Sequence, residues 1–362
     1  MIVWGAIYSF FKNIKNAILF ILFTAFSFSI AAHIVSPQTT ILFAPFGLGF
    51  MPLLIATFII GIIYLKRNKW IALAALLLVG LSFKFIAGSV ALNFNQKKEG
   101  LKIMSWNVKN FDLYNWTKNE ETRQNMFRLI DSIDPDVLCL QEFYTNKNQH
   151  DNLTALKKLG YKYYSFFPSY SQKTGGQWGL AIFSKTPLQK GQSLKLNEKK
   201  SSTNQCVSAQ LSHNGQIYTI YNAHLQSIHL NYEDLAYIEG VKKEWSILDK
   251  LKSWRVIYKI LTAYKSRGQQ LELLLNKSTT STNVILCCDL NDIPASHAYH
   301  VISQHYQDAF RKKGLGLSNT ISIGLPIYRI DYIFSSANLS VNAYEKIENA
   351  LSDHHIVVSY IE

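Results

Sequence analysis

The sequence predicts an α/β domain carried on a membrane anchor, and three observations lead there. No Asp or Glu precedes Glu99, and the 50 residues between Lys15 and Lys66 contain no Lys, Arg, Asp or Glu. From residue 95 onward, short apolar runs of strand type alternate with helical patterns. Those runs end, again and again, in Asn, Glu, Asp or His.

Composition agrees with such a division. Of 362 residues 48% are hydrophobic and only 17% charged, against about 25% charged in ordinary soluble domains. A disordered or collagen-like chain is excluded, and 4 Cys in this length exclude a disulfide-stapled small domain. Lys and Arg outnumber Asp and Glu by 37 to 24, a net charge of +13. The excess points to anionic partners without choosing among phosphate, nucleic acid and membrane.

A membrane span needs roughly 20 apolar residues, so the uncharged stretch holds two, near 17–35 and 41–65, broken at Pro37. A third apolar run, 70–92, carries one charge, Lys84, able to snorkel or face a neighbouring helix. Three successive runs argue against a helical hairpin buried in a soluble domain. Were the first a cleaved signal peptide, two spans would still follow. The cationic loop Lys66-Arg67-Asn68-Lys69 belongs on the cytoplasmic side, with Lys12 and Lys15. That arrangement makes a multi-pass protein, as in a bacterial inner membrane, and delivers the rest outside the cytoplasm; Lys97 and Lys98 pull weakly the other way. The expected division is 1–94 for the anchor and 95–362 for the catalytic body.

Six of the 37 basic residues precede residue 95, which leaves the body 31 against 24 acidic residues, net +7. Strand-like runs fall at 101–106, 137–140, 179–183, 216–221, 284–288, 330–334 and 356–360. A helical pattern at 121–133 stops at Asp134-Pro135. Strands apolar throughout imply sheets covered on both faces.

The polar ends carry the chemistry. Asn107 follows Met104-Ser105-Trp106, Glu142 follows Leu140-Gln141, and His224 follows Asn222-Ala223. Asp289 and Asn291 follow Cys287-Cys288, Asp331 opens a strand, and Asp353 and His354 precede one. One such end is ordinary turn chemistry; six form a biased set. In α/β sheets the strand ends converge on one rim, where ligands bind. Hard oxygen donors without a Cys or His cluster suit Mg²⁺ or Mn²⁺ rather than zinc.

These residues also carry a resemblance. Ser105-Trp106-Asn107, Leu140-Gln141-Glu142, Gly179 to Ser184, Asn222-Ala223-His224-Leu225, Asp289-Leu290-Asn291-Asp292, Arg329-Ile330-Asp331-Tyr332 and Ser352-Asp353-His354 occur in that order. The chain resembles the endonuclease/exonuclease/phosphatase superfamily, and its leading apolar runs resemble a membrane-anchored bacterial branch. The resemblance implies a four-layer α/β/β/α sandwich of two mixed sheets, here preceded by three transmembrane helices, with the site at one end. It implies Glu142 as the main metal ligand beside Asn107, with Asp353 completing the metal environment. Asp289 would orient or deprotonate the attacking water, and Asn291 would hold it and a phosphate oxygen. His224 and His354 would donate to phosphate oxygens, with Asp331 fixing the tautomer of His354.

Phosphoryl hydrolysis builds negative charge on the non-bridging oxygens, which a divalent ion and imidazole donors stabilise. The expected activity is therefore Mg²⁺-dependent hydrolysis of a phosphodiester, nuclease-like or directed at phospholipid headgroups. A small phosphomonoester and a catalytically silent tethered domain are the competing readings. Cys288 departs from the Gly common before the family's Asp. Asp292 is expected to cap the turn at Pro294, His355 to pack, His213, His229, His297, His300 and His305 to be surface or structural, and the four Cys to be small buried hydrophobes.

Two further features stand out. Between His224 and Asp289, Val241, Trp245, Leu248, Leu251, Trp254, Ile257, Leu261 and Tyr264 recur at spacings of three and four. The plain reading is a helix packed on its sheet; the sharper one is a basic, Trp-bearing helix lying on the bilayer near the site. The aromatic cluster at 161–170 reads as strand core, with base stacking or lipid insertion as alternatives.

Overall fold

Hydrophobic length decides the first elements, and burial decides where they stop. A computed structural model describes residues 2–197, 203–228, 247–322 and 328–362. Helix α1 spans Ile2–Ile34, a 3₁₀ turn Ala44–Gly49 leads into α2 at Phe50–Tyr64, and α3 and α4 span Lys69–Leu81 and Phe83–Ser89. Among the described residues two segments, Asn13–Ile34 and Ala44–Tyr64, are long and apolar enough to cross a membrane.

The third expected span is corrected. The run 70–92 is not one helix: α3 and α4 meet at a 53° bend, and Val90–Leu92 leaves the helix altogether as strand β1. At the bend Ser82 donates its hydroxyl to the carbonyl of Val79, three residues back, at 2.7 Å. Strand β1 then pairs antiparallel with β11, Leu315–Leu317, and Ala91 enters the inter-sheet core. The body's own pairing thus begins at Val90, before the expected start at Asn95.

Two six-stranded sheets form the centre. One holds β2 (Leu101–Asn107), β3 (Val137–Thr145), β4 (Tyr163–Ser171), β5 (Gln177–Ser184), β13 (Val341–Ile347) and β14 (Ile356–Ile361), in the order β13-β14-β2-β3-β5-β4. The other holds β6 (Leu188–Lys195), β7 (Gln205–His213), β8 (Gln216–His224), β9 (Val284–Asp289), β10 (Gln307–Asp308) and β12 (Asp331–Ser335), in the order β10-β12-β9-β8-β7-β6. Each is mixed: β2 runs parallel to β3, and β8 parallel to β9.

Alternation along the strands builds three cores. Ile103, Cys139 and Ile182 face Val207, Ile220 and Cys287 between the sheets. Met104, Trp106 and Leu140 face outward onto α5 (Thr122–Ile133) and α6 (Asn152–Lys158) through Met126, Ile130 and Leu156. Cys206, Tyr221, Leu286 and Cys288 face α7 (Ile247–Ser278) and α8 (His297–His305) through Leu271, Leu274 and Ile302. The result is the expected four-layer sandwich. All four Cys are free and buried, and the aromatic cluster at 161–170 is largely edge strand β4.

The anchor is fused to this body. Phe26, Phe50, Leu54 and Phe85 share one core cluster with Ile293, Ala295 and Ile330. Buried Arg329 holds both oxygens of Asp308, at 2.9 and 2.5 Å, and donates to the carbonyl of Gly88 at 2.7 Å. A guanidinium removed from water needs such partners, because an unpaired buried charge is costly. Replacing Arg329 with Met strands the Asp308 carboxylate and is expected to destabilise the protein by about 3–5 kcal/mol, read as a lowered thermal unfolding midpoint in detergent; an unchanged midpoint would refute the role.

Candidate active site

Strand register places the site before any loop does. His224 ends β8 directly opposite Asp289 at the end of β9, and Asp289 faces Asp331 across the β9–β12 ladder. On the other sheet Asn107 ends β2 opposite Gln141, the neighbour of Glu142. The two sheets therefore bring their polar ends to one edge of the cleft.

Side chains close the gap. Nε2 of His224 lies 3.9 Å from a Glu142 oxygen and 3.5 Å from Asp289 Oδ2. Asn107 Nδ2 donates to the same Asp289 oxygen at 2.9 Å, reaching across from the first sheet. The backbone N–H of Asn291 donates to Asp289 Oδ1 at 3.0 Å, while its side-chain amide donates to the Leu225 carbonyl at 3.0 Å. His354 Nδ1 sits 3.0 and 3.1 Å from the two oxygens of Asp331 and 3.9 Å from Asp289. Seven of the eight expected residues thus form one connected group. The eighth, Asp353, lies beside His354 in the chain but spends its carboxylate on Lys109 Nζ at 2.8 Å.

Backbone strain marks the same places. Lys109, Glu142 and Asn291 all have positive φ, at 43°, 47° and 53°, a region L-residues other than Asn and Asp seldom adopt. Glu142 sits where the β3–β5 pairing loses register between Leu140 and Phe143, and such a bulge re-aims a side chain. Its side chain is 31% exposed, and the His224 ring is the titratable group nearest its carboxylate among the described residues.

Charge is distributed unevenly. Burial and the Asp289 carboxylate hold the Asp331 acid above its ordinary range, with His354 opposing. Burial opposes charge on His354, yet Asp331 and Asp289 hold its proton well above the usual imidazole range. Asp353 also resists burial: His354 and Lys109 bring its carboxyl below the ordinary value. Asp289, Asp331 and His354 place ligand atoms within 4.8 Å of one another, close enough to hold a metal. His354 Nδ1, however, is committed to Asp331 as a donor, so its lone pair is not free there. The Glu142 carboxylate, with the Asn107 amide oxygen, is the better donor set for a hard cation.

The fold and this geometry have relatives. The model of the Endonuclease/Exonuclease/phosphatase family matches residues 104–354. The chain belongs to this family. Family members are metal-dependent hydrolases of phosphate esters, and so is this protein. A family protein from Beutenbergia cavernae matches with TM-score 0.53 and 18% identity, over 72% of this chain and 71% of that one. The human Nocturnin catalytic domain, with bound sulfate, matches at 0.52 and 20%, over 75% and 95%. A family protein from Bacteroides vulgatus matches at 0.52 and 17%, over 73% and 99%. At these identities the likeness is one of fold. Among curated proteins none matches the chain.

Lys109 and Thr320, at the family site, escaped the sequence reading. Lys109 pairs with Asp353 and lies 5.1 Å from the Trp116 ring. Asp292 caps the turn, accepting from the Ile293 N–H at 3.0 Å, but its second oxygen holds Arg267 at 3.0 Å. His355 packs as expected, accepting from Asn349, while His297 and His300 lie on α8, where the His300 ring meets that of His33 of α1 at 4.6 Å and a 60° tilt; His229 falls outside the described residues. Thr320 is the least conspicuous in sequence: its hydroxyl accepts from the N–H groups of Ile330 and Asp331 at 2.9 and 3.0 Å, and its carbonyl accepts from His355 at 2.7 Å. Thr320→Val leaves two buried donors unmatched and is expected to cost about 1–3 kcal/mol, whereas Thr320→Ser keeps the acceptor and should unfold at the parent temperature.

Proposed function

We propose that the protein is a membrane-anchored, Mg²⁺-dependent phosphodiesterase that cleaves by in-line attack of water. The convergence of Glu142, Asp289, His224 and Asn107 on one point from two sheets carries this reading. Glu142 and Asn107 are the residues suited to hold the cation, with Asp353 nearby and available through water. The fit rests on charge: Asp353 has Lys109 and Asp331 has His354, but no Lys or Arg pairs with Glu142 or Asp289 among the described residues. When bound, Mg²⁺ would offset charge on the phosphate oxygens.

The chain's own residues supply the rest. Asp289, oriented by Asn107 and the Asn291 N–H, accepts the proton of the attacking water. Asn291 steadies that water and a phosphate oxygen. His354, its Nδ1 held by Asp331, offers Nε2–H to a phosphate oxygen, and His224 donates from the opposite side. The N-terminal helices hold the body at a membrane, with Lys66, Arg67 and Lys69 on the cytoplasmic side and the site beyond it.

Full-length protein should release p-nitrophenol from bis(p-nitrophenyl) phosphate in Mg²⁺ and stop when EDTA is added. Asp289→Asn should lower kcat by about 10²–10⁴-fold, and Glu142→Ala and His354→Ala should also abolish most turnover with the fold intact by circular dichroism. Full activity in EDTA, or in Glu142→Ala, would refute the metal-dependent reading, and no turnover in Mg²⁺ would leave the silent tethered domain as the better account.

A further inference from the structure

The anchor meets the body at the catalytic edge and not at its opposite end. Ile293 and Ala295 follow Asn291 by two and four residues, and Ile330 directly precedes Asp331. All three lie in one apolar cluster with Phe26, Phe50, Leu54 and Phe85 of the anchor. Tyr328 adds a hydrogen bond to the Leu48 carbonyl at 3.1 Å. The ends of the candidate spans are therefore in direct contact with the loops that carry the site.

Helix α7 runs the same way. Near its C-terminus Tyr221 accepts or donates at Ser281 and bonds the Lys277 carbonyl, level with the start of β9 at Val284. Further back along the helix, Arg267 pairs with Asp292 and donates to the Gln226 carbonyl, level with the end of β9 and the catalytic edge. Gln38, in the turn joining α1 to the second span, donates to the Lys265 carbonyl at 2.6 Å. The helix then continues past the edge beside Ala44–Gly49, where the second span begins. At 1.5 Å per residue Trp254 lies about 20 Å beyond Arg267.

That continuation presents an apolar face to solvent. Trp254, Ile257 and Tyr258, at helical spacing, are 69%, 42% and 71% exposed. The expected apolar face is thus divided: Tyr264 is buried and Leu261 half-buried, whereas Trp254 and Ile257 are left open; Val241 and Trp245 lie outside the described residues, as do the side chains of Leu248 and Leu251. Trp and Tyr favour the boundary between headgroups and acyl chains, and a helix with such a face lies in that boundary.

We propose that the catalytic edge is held at the bilayer surface and that its substrate is the phosphodiester of a membrane phospholipid. The proposal rests on the phosphodiesterase reading. Water oxygen bonds to phosphorus, one P–O ester bond breaks, and the departing alkoxide takes up a proton. One phosphomonoester and one free hydroxyl result, and the acyl chains stay in the bilayer with one of them.

The test uses the full chain in nanodiscs of phosphatidylglycerol and phosphatidylcholine with Mg²⁺. Phosphorus NMR follows the lipid diester, and bis(p-nitrophenyl) phosphate and a single-stranded oligonucleotide are assayed in parallel. Wild type should consume lipid, and the double variant W254A/Y258A should lose about tenfold of that rate while cleaving the soluble diester at the wild-type rate. Intact lipid alongside cleavage of the soluble diester or oligonucleotide overturns the proposal and leaves the phosphodiesterase reading standing. An equal loss on lipid and soluble diester in the double variant also overturns it, since the exposed face would then act on the fold. Turnover of none of the three overturns the phosphodiesterase reading itself.

Discussion

A pair of buried amides sets the width of the cleft. Gln141 Nε2 donates to Asn222 Oδ1 at 2.7 Å and to Ser105 Oγ at 3.0 Å. Asn222 in turn donates to the carbonyls of Leu140 and Ala181 at 2.9 and 3.0 Å. Both side chains are sealed from solvent between the sheets, where an unmatched polar group costs about 1–3 kcal/mol. Sliding one sheet against the other would break the three bonds that Asn222 makes to Gln141, Leu140 and Ala181 together. Gln141 adjoins Glu142, and Asn222 lies two residues before His224, so the amide bridge transmits the sheet spacing straight to the groups that face each other across the site. Those groups stand on strand ends, which are stiffer supports than loops.

Given that spacing, the acids divide by the company they keep. Asp353 is neutralised by Lys109, and Asp331 by the proton that His354 retains between two carboxylates. Asp289 accepts N–H donors on both oxygens, from Asn107 and from the Asn291 backbone. Among the described residues Glu142 alone stands at a bulge with no Lys or Arg paired to it. A carboxylate held by strained backbone without a partner is an open coordination position, while one held by fixed N–H donors is a poised acceptor. The roles assigned to Glu142 and Asp289 follow from that difference.

Central strands were legible in the sequence because burial on both faces writes itself as unbroken apolar runs, as in Val284–Asp289. Edge strands were less so: β6 and β13 mix polar with apolar residues because one side faces water. The third span was misread for a related reason. Hydropathy continues through Val90–Leu92, but the same apolar side chains serve a strand as well as a helix, and only the partner strand at Leu315–Leu317 decides. The acids, amides and imidazoles of the candidate site were readable as strand ends. Lys109, Thr320 and the pairing of Arg329 with Asp308 were not, because each acts on a residue remote in sequence or through backbone atoms.

Those unread residues also tie the anchor to the chemistry. Arg329 fastens the Gly88 carbonyl, at the end of the anchor's last helix, to the segment that opens into Asp331. Ser318 bonds the Ser89 carbonyl through both its N–H and its hydroxyl, and two residues on Thr320 holds the Asp331 N–H. Ile321 then bridges to His354. A short path of buried hydrogen bonds therefore runs from α4 to the Asp331–His354 pair. N-terminal helices that served only as a tether would need no such path, since a flexible linker would hold the body equally well. Rigid attachment at the catalytic edge has a consequence that a linker lacks: it fixes how the cleft is presented to whatever lies at the surface.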